Sequence, residues 1–226
     1  MRARAKVAAR ASEPGSRRAL IADAVISLLA REGGRGVTHG KIDRLLGLPQ
    51  GSTSFYFRRR AELFEAGLRE LVAKDLMDLT EAMGSLFSKR SDTLTARTVA
   101  RRQYALWRRN TCASMRHRAI ARFEFFLLAA RDARFAQLHA EARRAIFDFG
   151  AEMFRRMGAR NPRSAAVEYG YLVRGDLIAY WFLPPSLGRH RVTPSYYEQH
   201  LQEIIVSTDR LPADTRTLPI RERVLA

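Results

Sequence analysis

The sequence predicts an all-α protein: an N-terminal three-helix helix-turn-helix unit joined by a long helix to a larger C-terminal helical domain. Three observations carry that prediction. Apolar residues recur at helical spacing through most of the 226-residue chain. Sustained alternation and Asn-Gly or Asp-Gly hairpin turns, the marks of strands, are missing. Near the N-terminus, three short helical segments follow one another, with a tight glycine-containing turn between the second and third.

Residues 1–15 read as a basic, mobile arm ending in Pro14 and Gly15. A first helix runs from about Arg17 to Glu32 on the stripe Leu20, Ile21, Ala24, Val25, Leu28 and Leu29, and Gly33, Gly34 and Gly36 end it. Thr38 is an N-cap for a second helix, His39 to Leu46, with Val37 and Ile42 at the positions of a hydrophobic staple. Gly47 stops it. Pro49 suits the first turn of a third helix, to about Phe57.

The run Arg58-Arg59-Arg60 leads into a long fourth helix carrying Leu63, Phe64, Leu68, Leu71, Val72, Leu76, Leu79 and Met83 at the 3.6 period. Residues 88–95 break the pattern as a loop. Further helices are expected over about 96–111, 113–131, 134–157, 163–183 and 194–207. Gly158 and the Ala-Arg-Asn-Pro loop, Pro184-Pro185 and Thr193-Pro194 set the later boundaries. The segment 211–226 reads as a flexible tail.

Composition bounds the function. The chain is 46% hydrophobic and 28% charged, as folded proteins are, and its net charge is +17. Met1–Phe64 holds 13 Lys+Arg against 5 Asp+Glu, about twice the positive charge density of the remainder. Such charge draws a protein to nucleic acid, anionic membranes or acidic partners. Cys112 is the single cysteine, so no disulfide framework or cysteine zinc site forms within one chain, which fits a reducing cytoplasm. The basic start is not followed by an apolar run, so it is no signal peptide, and no stretch reads as a membrane span. His39, His117, His139, His190 and His200 are scattered, with no metal spacing. No nucleophile elbow or phosphate-cradling glycine loop is present. Neither an enzyme's constellation nor a cofactor or metal site is expected.

Leu-Gly-Leu-Pro at 46–49 and Gln-Gly-Ser-Thr-Ser-Phe-Tyr-Phe at 50–57 are too polar for a core and too plain for catalysis. In a helix-turn-helix they become the turn and the helix that enters the DNA major groove. Gln50 can bond base edges, and Gly51 and Ser52 let the backbone approach. Ser52, Thr53, Ser54 and Tyr56 carry hydroxyls for phosphates or bases. Leu48 offers no side-chain cap, which leaves the first amides of the third helix for a phosphate. Arg58, Arg59 and Arg60 could clamp the backbone. Thr38 can bond a phosphate while capping. Phe57 belongs to the core, and Phe55 is open between core and contact.

Residues 16–68 resemble, without a gap, the DNA-binding domain of TetR-type transcriptional repressors. The likeness lies in the first-helix stripe, the glycine-rich turn, Val37-Thr38, Ile42, Gly47, Gly51, Phe57, Arg60 and Leu63. Thr53 and Ser54 stand where the family usually has an apolar residue and then Tyr, Tyr56 where it often has His, and Arg60 where it has Lys. The resemblance implies domains at 16–62 (DNA-binding) and 63–210 (effector-binding and dimerisation). It also implies a homodimer on a double-stranded DNA operator, joined through its last two long helices, with a small-molecule effector in the C-terminal bundle. The expected DNA contacts are Arg17, Thr38, His39, Gln50, Gly51, Ser52, Thr53, Ser54, Tyr56 and Arg60.

In the C-terminal half, the sixth helix is apolar nearly all round, interrupted by Arg122 and Glu124, which point to different faces. Each either pairs with another helix or faces a ligand. Small residues at Gly170, Gly175 and Ala179 suit close approach of helices. Trp107, Phe123, Phe126, Phe147, Asp176 and Tyr180 are the ligand-binding candidates. Gly170, Arg174, Ile178, Trp181, Tyr197, Leu201 and Ile204 are the dimerisation candidates. The reading is a ligand-responsive repressor. The alternatives are an all-α enzyme or hydrophobic-ligand carrier, and non-specific binding of nucleic acid or membrane through the Arg-rich surface.

Overall fold

The computed structural model describes residues 15–87, 94–184, 186 and 191–211. The arm before Gly15, most of the loop at 88–95 and the tail beyond Leu211 lie outside the described residues. Among those described, the elements are α1 (Arg17–Gly36), α2 (His39–Leu45), α3 (Ser52–Tyr56), α4 (Arg60–Met83), α5 (Ala96–Asn110), α6 (Arg116–Arg131), α7 (Ala133–Arg156), α8 (Pro162–Phe182) and α9 (Pro194–Asp209). Short 3₁₀ turns stand at Gly84–Phe87 and Ala113–Met115, the second taking the place of an α-helical start to α6.

The local chemistry sets these bounds. Ser16 caps α1 by accepting from the Ala19 amide at 3.2 Å, and Thr38 caps α2 by accepting from the Lys41 amide at 3.3 Å. Val37 and Ile42 are fully buried beside that cap. Glu62 accepts from the amides of Arg58 (2.9 Å) and Arg59 (3.2 Å), closing the start of α4. Thr193 caps α9 through the Tyr196 amide at 3.1 Å, and Asp209 accepts from the amides of Arg160 and Asn161 ahead of α8.

The chain forms two compact units. The first holds residues up to Glu81 together with Arg108–Ala145. Its core includes Ile21, Val25, Leu29, Val37, Ile42, Leu63, Leu68, Leu71 and Phe125. α1 packs along α6. Gly67 makes room for the approach of α4 to α1: a Cβ there would stand 2.6 Å from Val25 Cγ1. α1 is buried on more than one face, with Ala22 and Ile26 enclosed, while Leu20 is 42% exposed and leaves the expected stripe.

The second unit holds Ala82–Trp107 and residues from Ile146 onward. Its core includes Val99, Leu106, Met153, Phe154, Tyr169, Tyr197 and Leu201, and α8 packs on α9. These compact units are drawn differently from the expected boundary at 62/63. The reason is physical: α6 is packed against α1 and ion-paired to α4, so it groups with the N-terminal helices.

Candidate nucleic-acid interface

α3 is shorter than the sequence predicts. It starts at Ser52 rather than near Pro49, because Gly51 before it has φ +92, a left-handed conformation that ends any helix running in from Pro49. Gly51 is thus the N-cap, and it offers no side chain to close the helix end.

The cap comes from another helix. Asp43 of α2 is only 3% exposed. Its Oδ2 accepts from the Gly51 amide at 2.8 Å. Its Oδ1 accepts from the Thr53 amide at 2.8 Å and from the Thr53 hydroxyl at 2.6 Å. Burial alone would raise this carboxyl, but the hydrogen bonds from Thr53 and Gly51 outweigh it and hold it below the ordinary carboxylate range. The Ser52 amide donates to Pro49 O at 3.1 Å. The expectation that the first α3 amides stay open for a phosphate is therefore corrected: Asp43 fills the amides of Gly51 and Thr53.

Thr53 is corrected with it. Its side chain is fully buried, turned to α2, and cannot reach a base. The hydroxyl that reads as a DNA contact in the sequence is an internal donor. Phe57 is buried as expected, with the Arg18 guanidinium 4.9 Å from its ring centre.

His39 and Arg60 also have internal partners. The His39 Nε2–H donates to Phe57 O at 2.7 Å, tying α2 to the end of α3. Arg60 donates through Nε to Val37 O at 2.8 Å and through Nη2 to Gly34 O, and its guanidinium covers the Phe64 ring. Its fork holds the α1–α2 turn, which a Lys with one charged nitrogen could not do in the same way. Arg17, Thr38, Gln50, Gly51 and Ser54 are exposed, and Ser52 and Tyr56 half-buried. The Ser52 hydroxyl donates to Pro49 O at 2.7 Å.

Sequence reasoning passed over Asp43 and left Phe55 open. Phe55 is 82% exposed, its ring edge-on to Tyr56 with centres 5.2 Å apart. Its phase on α3, two residues from each of the buried Thr53 and Phe57, is the signal that places it outward.

Of the C-terminal charges, Arg122 has the structural answer. It binds Asp75 of α4 through two nitrogens, at 3.1 and 2.7 Å, and Arg118 reaches the same carboxylate at 2.9 Å. Arg118 also pairs with Asp78 at 2.9 Å, and Arg109 joins Asp78 and Glu81. Burial works to raise the Asp75 carboxyl, and Arg122, Arg118 and Arg143 together bring it below its ordinary value. Glu124 instead lies against Gly33 of α1, where a Cβ would be 3.6 Å from its Oε1.

The six ligand candidates divide between the units. In the first, Phe123 and Phe126 meet edge to face at 6.3 Å, and His139 lies 4.8 Å from Phe126. In the second, Trp107 packs between Tyr104 and Tyr180, at 6.0 and 5.6 Å, and Phe147 takes the Arg174 guanidinium at 5.6 Å. Asp176 is buried and accepts from the Tyr196 hydroxyl at 2.9 Å.

Four dimerisation candidates are corrected. Tyr197, Leu201 and Ile204 are buried within the single chain, where α9 packs on α8, and cannot meet a partner. Gly170 faces Phe147 of its own chain, with a Cβ there 3.2 Å from the ring. Arg174 and Trp181 are half-buried, and Ile178 is exposed. The exposed stripe of α8 is Glu168, Tyr171, Gly175, Ile178 and Phe182. Of the expected Gly170, Arg174, Ile178 and Trp181, only Ile178 stands on it, and the other three lie one residue to its side.

Among the described residues, no helix is long and apolar enough to cross a membrane. No model of a known protein family matches the chain, and no curated protein matches it. Solved structures do. A transcriptional regulator from Rhodococcus sp. Rha1 superposes with a TM-score of 0.63 at 20% identity, covering 87% of this chain and 100% of that one. A TetR-family member from Streptomyces coelicolor A3 gives 0.61 at 18% identity, covering 84% and 98%. A transcriptional regulator from Saccharomonospora viridis in complex with choline gives 0.59 at 17% identity, covering 84% and 95%. The likeness extends over most of each chain, and the fold is that of the TetR-family regulators of transcription.

Proposed function

We propose that the chain is a ligand-responsive transcriptional repressor. As a homodimer it binds a palindromic operator, and a small-molecule effector releases it. Such a protein works in the cytoplasm, where bacterial DNA lies. The observation that carries this reading is the division of α3. One side, Thr53 and Phe57, is locked to the domain, while Ser54 and Phe55 are left to solvent. A short helix held so firmly and facing outward suits docking into a major groove.

Further features support it. Arg17, Thr38, Gln50 and Arg58 are exposed on the same small domain and suit phosphate contacts. The exposed stripe on α8 has the 3-4-3-4 spacing of a helix seam, with Tyr171, Ile178 and Phe182 as its large apolar members. It is the candidate dimer face, with Val206 of α9 also exposed. In a dimer, two copies of α3 would enter successive grooves about 34–36 Å apart. An effector favouring a state with another spacing would shift the dimer off DNA.

Trp107, Phe147, Asp176 and Tyr180 in the second unit, and Phe123 and Phe126 in the first, are the candidate effector contacts. Structures of this fold solved with small molecules include the regulator with choline and the multidrug binding protein EbrR with ethidium.

Selection of duplexes from a random-sequence pool by the full-length protein tests the proposal. A palindromic consensus, protected in footprinting and bound more weakly as salt rises, is the expected outcome. Equal affinity for the selected and a scrambled duplex would exclude it.

A further inference from the structure

We propose that Phe55 is the specificity-determining residue of α3 and that it reads the C5-methyl group of thymine. The inference rests on the DNA-binding reading above and goes further, to the chemistry of one contact.

The geometry of α3 points there. At about 100° per residue, Phe55 stands about 160° around the helix from Thr53, and Phe57 follows as the extended residue that closes the helix. Those two residues are buried against the domain, so Phe55 projects from the outermost line of the helix. Ser54 and Tyr56 flank it, and Tyr56 braces its ring edge to face at an interplanar angle of 88°. A helix entering a groove along this axis carries Phe55 deepest, with its neighbours toward the groove walls.

The chemistry narrows what it meets. A phenyl ring neither donates nor accepts a conventional hydrogen bond. Against the polar edge of a guanine, cytosine or adenine it would strip water from base donors and acceptors without replacing it. Thymine alone presents an apolar group in the major groove, its methyl.

The test uses the full-length protein and the duplex it selects from a random-sequence pool. Each thymine is replaced in turn by deoxyuridine, which removes only the methyl. Binding is expected to weaken about fourfold at one thymine of each half-site, the effect of losing one buried methyl. That sensitivity should vanish in Phe55→Ala, which itself binds about tenfold more weakly while unfolding at the same temperature. A flat deoxyuridine scan overturns the proposal and leaves the regulator reading standing. So does an unchanged thymine sensitivity in Phe55→Ala. If no duplex is enriched at all, the regulator reading fails and this inference with it.

Discussion

Asp43 and Thr53 form a closed polar pair inside the helix-turn-helix: one carboxylate oxygen accepts from both the amide and the hydroxyl of Thr53, at 2.8 and 2.6 Å. The other oxygen holds Gly51. TetR-type sequences usually have an apolar residue at the position of Thr53. An apolar contact fills space but tolerates rotation. Three directed hydrogen bonds fix the rotation of α3 about its axis, and with it which side chains face outward.

The pair should behave as a unit. Asp43→Ala leaves the buried Thr53 donors and the part-buried Gly51 amide without their acceptor and is expected to destabilise the protein by about 1–3 kcal/mol. Thr53→Val alone leaves the carboxylate under-satisfied. The double variant should be more stable than the sum of the two, with a coupling of about 1 kcal/mol or more. Urea unfolding of the four proteins measures it, and strict additivity would contradict the arrangement.

Acid should expose the same pair. The Asp43 carboxyl is held below its ordinary value of 3.8. Its stabilisation is therefore complete above that pH and is lost as pH falls through the lower value it has in the fold. Asp75 acts in the same direction. Thermal unfolding followed from about pH 6 down to about pH 2 should show a shallower acid decline for Asp43→Asn than for the wild type. Parallel curves would show that Asp43 titrates normally.

The Asp75 cluster ties α4 to α6. Asp75→Ala leaves Arg118 and Arg122 facing each other without their shared carboxylate, and a loss of about 3 kcal/mol or more is expected. Replacing the partners together, as Asp75→Leu with Arg122→Met, should recover much of it. Calorimetry on the three proteins decides. A single variant as stable as wild type would mean the cluster is solvated.

The α8 stripe makes a separate prediction about assembly. Ile178→Glu should give a folded monomer by sedimentation, with operator affinity lost because one α3 alone spans a single half-site. Leu201→Glu, at a fully buried position, should unfold the protein instead. A dimer persisting in Ile178→Glu would place the interface elsewhere.

Much of this was legible in the sequence, for reasons that also explain what was not. Among the described residues the helices lie close to where stripes, caps and stops put them, the start of α3 excepted, because capping and periodicity are local properties. Thr38, Thr193 and the breaks at Gly47 and Pro184 needed no tertiary knowledge. Asp43 escaped because its partners are eight and ten residues away on another element, and an acid beside Ile42 reads as solvated until α3 is set against it. On α9, Tyr197, Leu201 and Ile204 form one apolar stripe. Periodicity shows that such a stripe is covered, not whether its own chain or a partner covers it. α8 is apolar nearly all round, so hydropathy leaves the phase of its exposed line undetermined, and of the four expected residues only Ile178 stands on it.

The division of labour on α3 bears on how such a protein can change its target. The residues that hold the helix, Asp43, Thr53 and Phe57, share no position with those it presents outward, Ser54 and Phe55. Codons for these two can drift without weakening the scaffold. On the proposed DNA-binding reading, a duplicated gene could therefore acquire a new operator through substitutions at these two positions, where a designer would also retarget the protein.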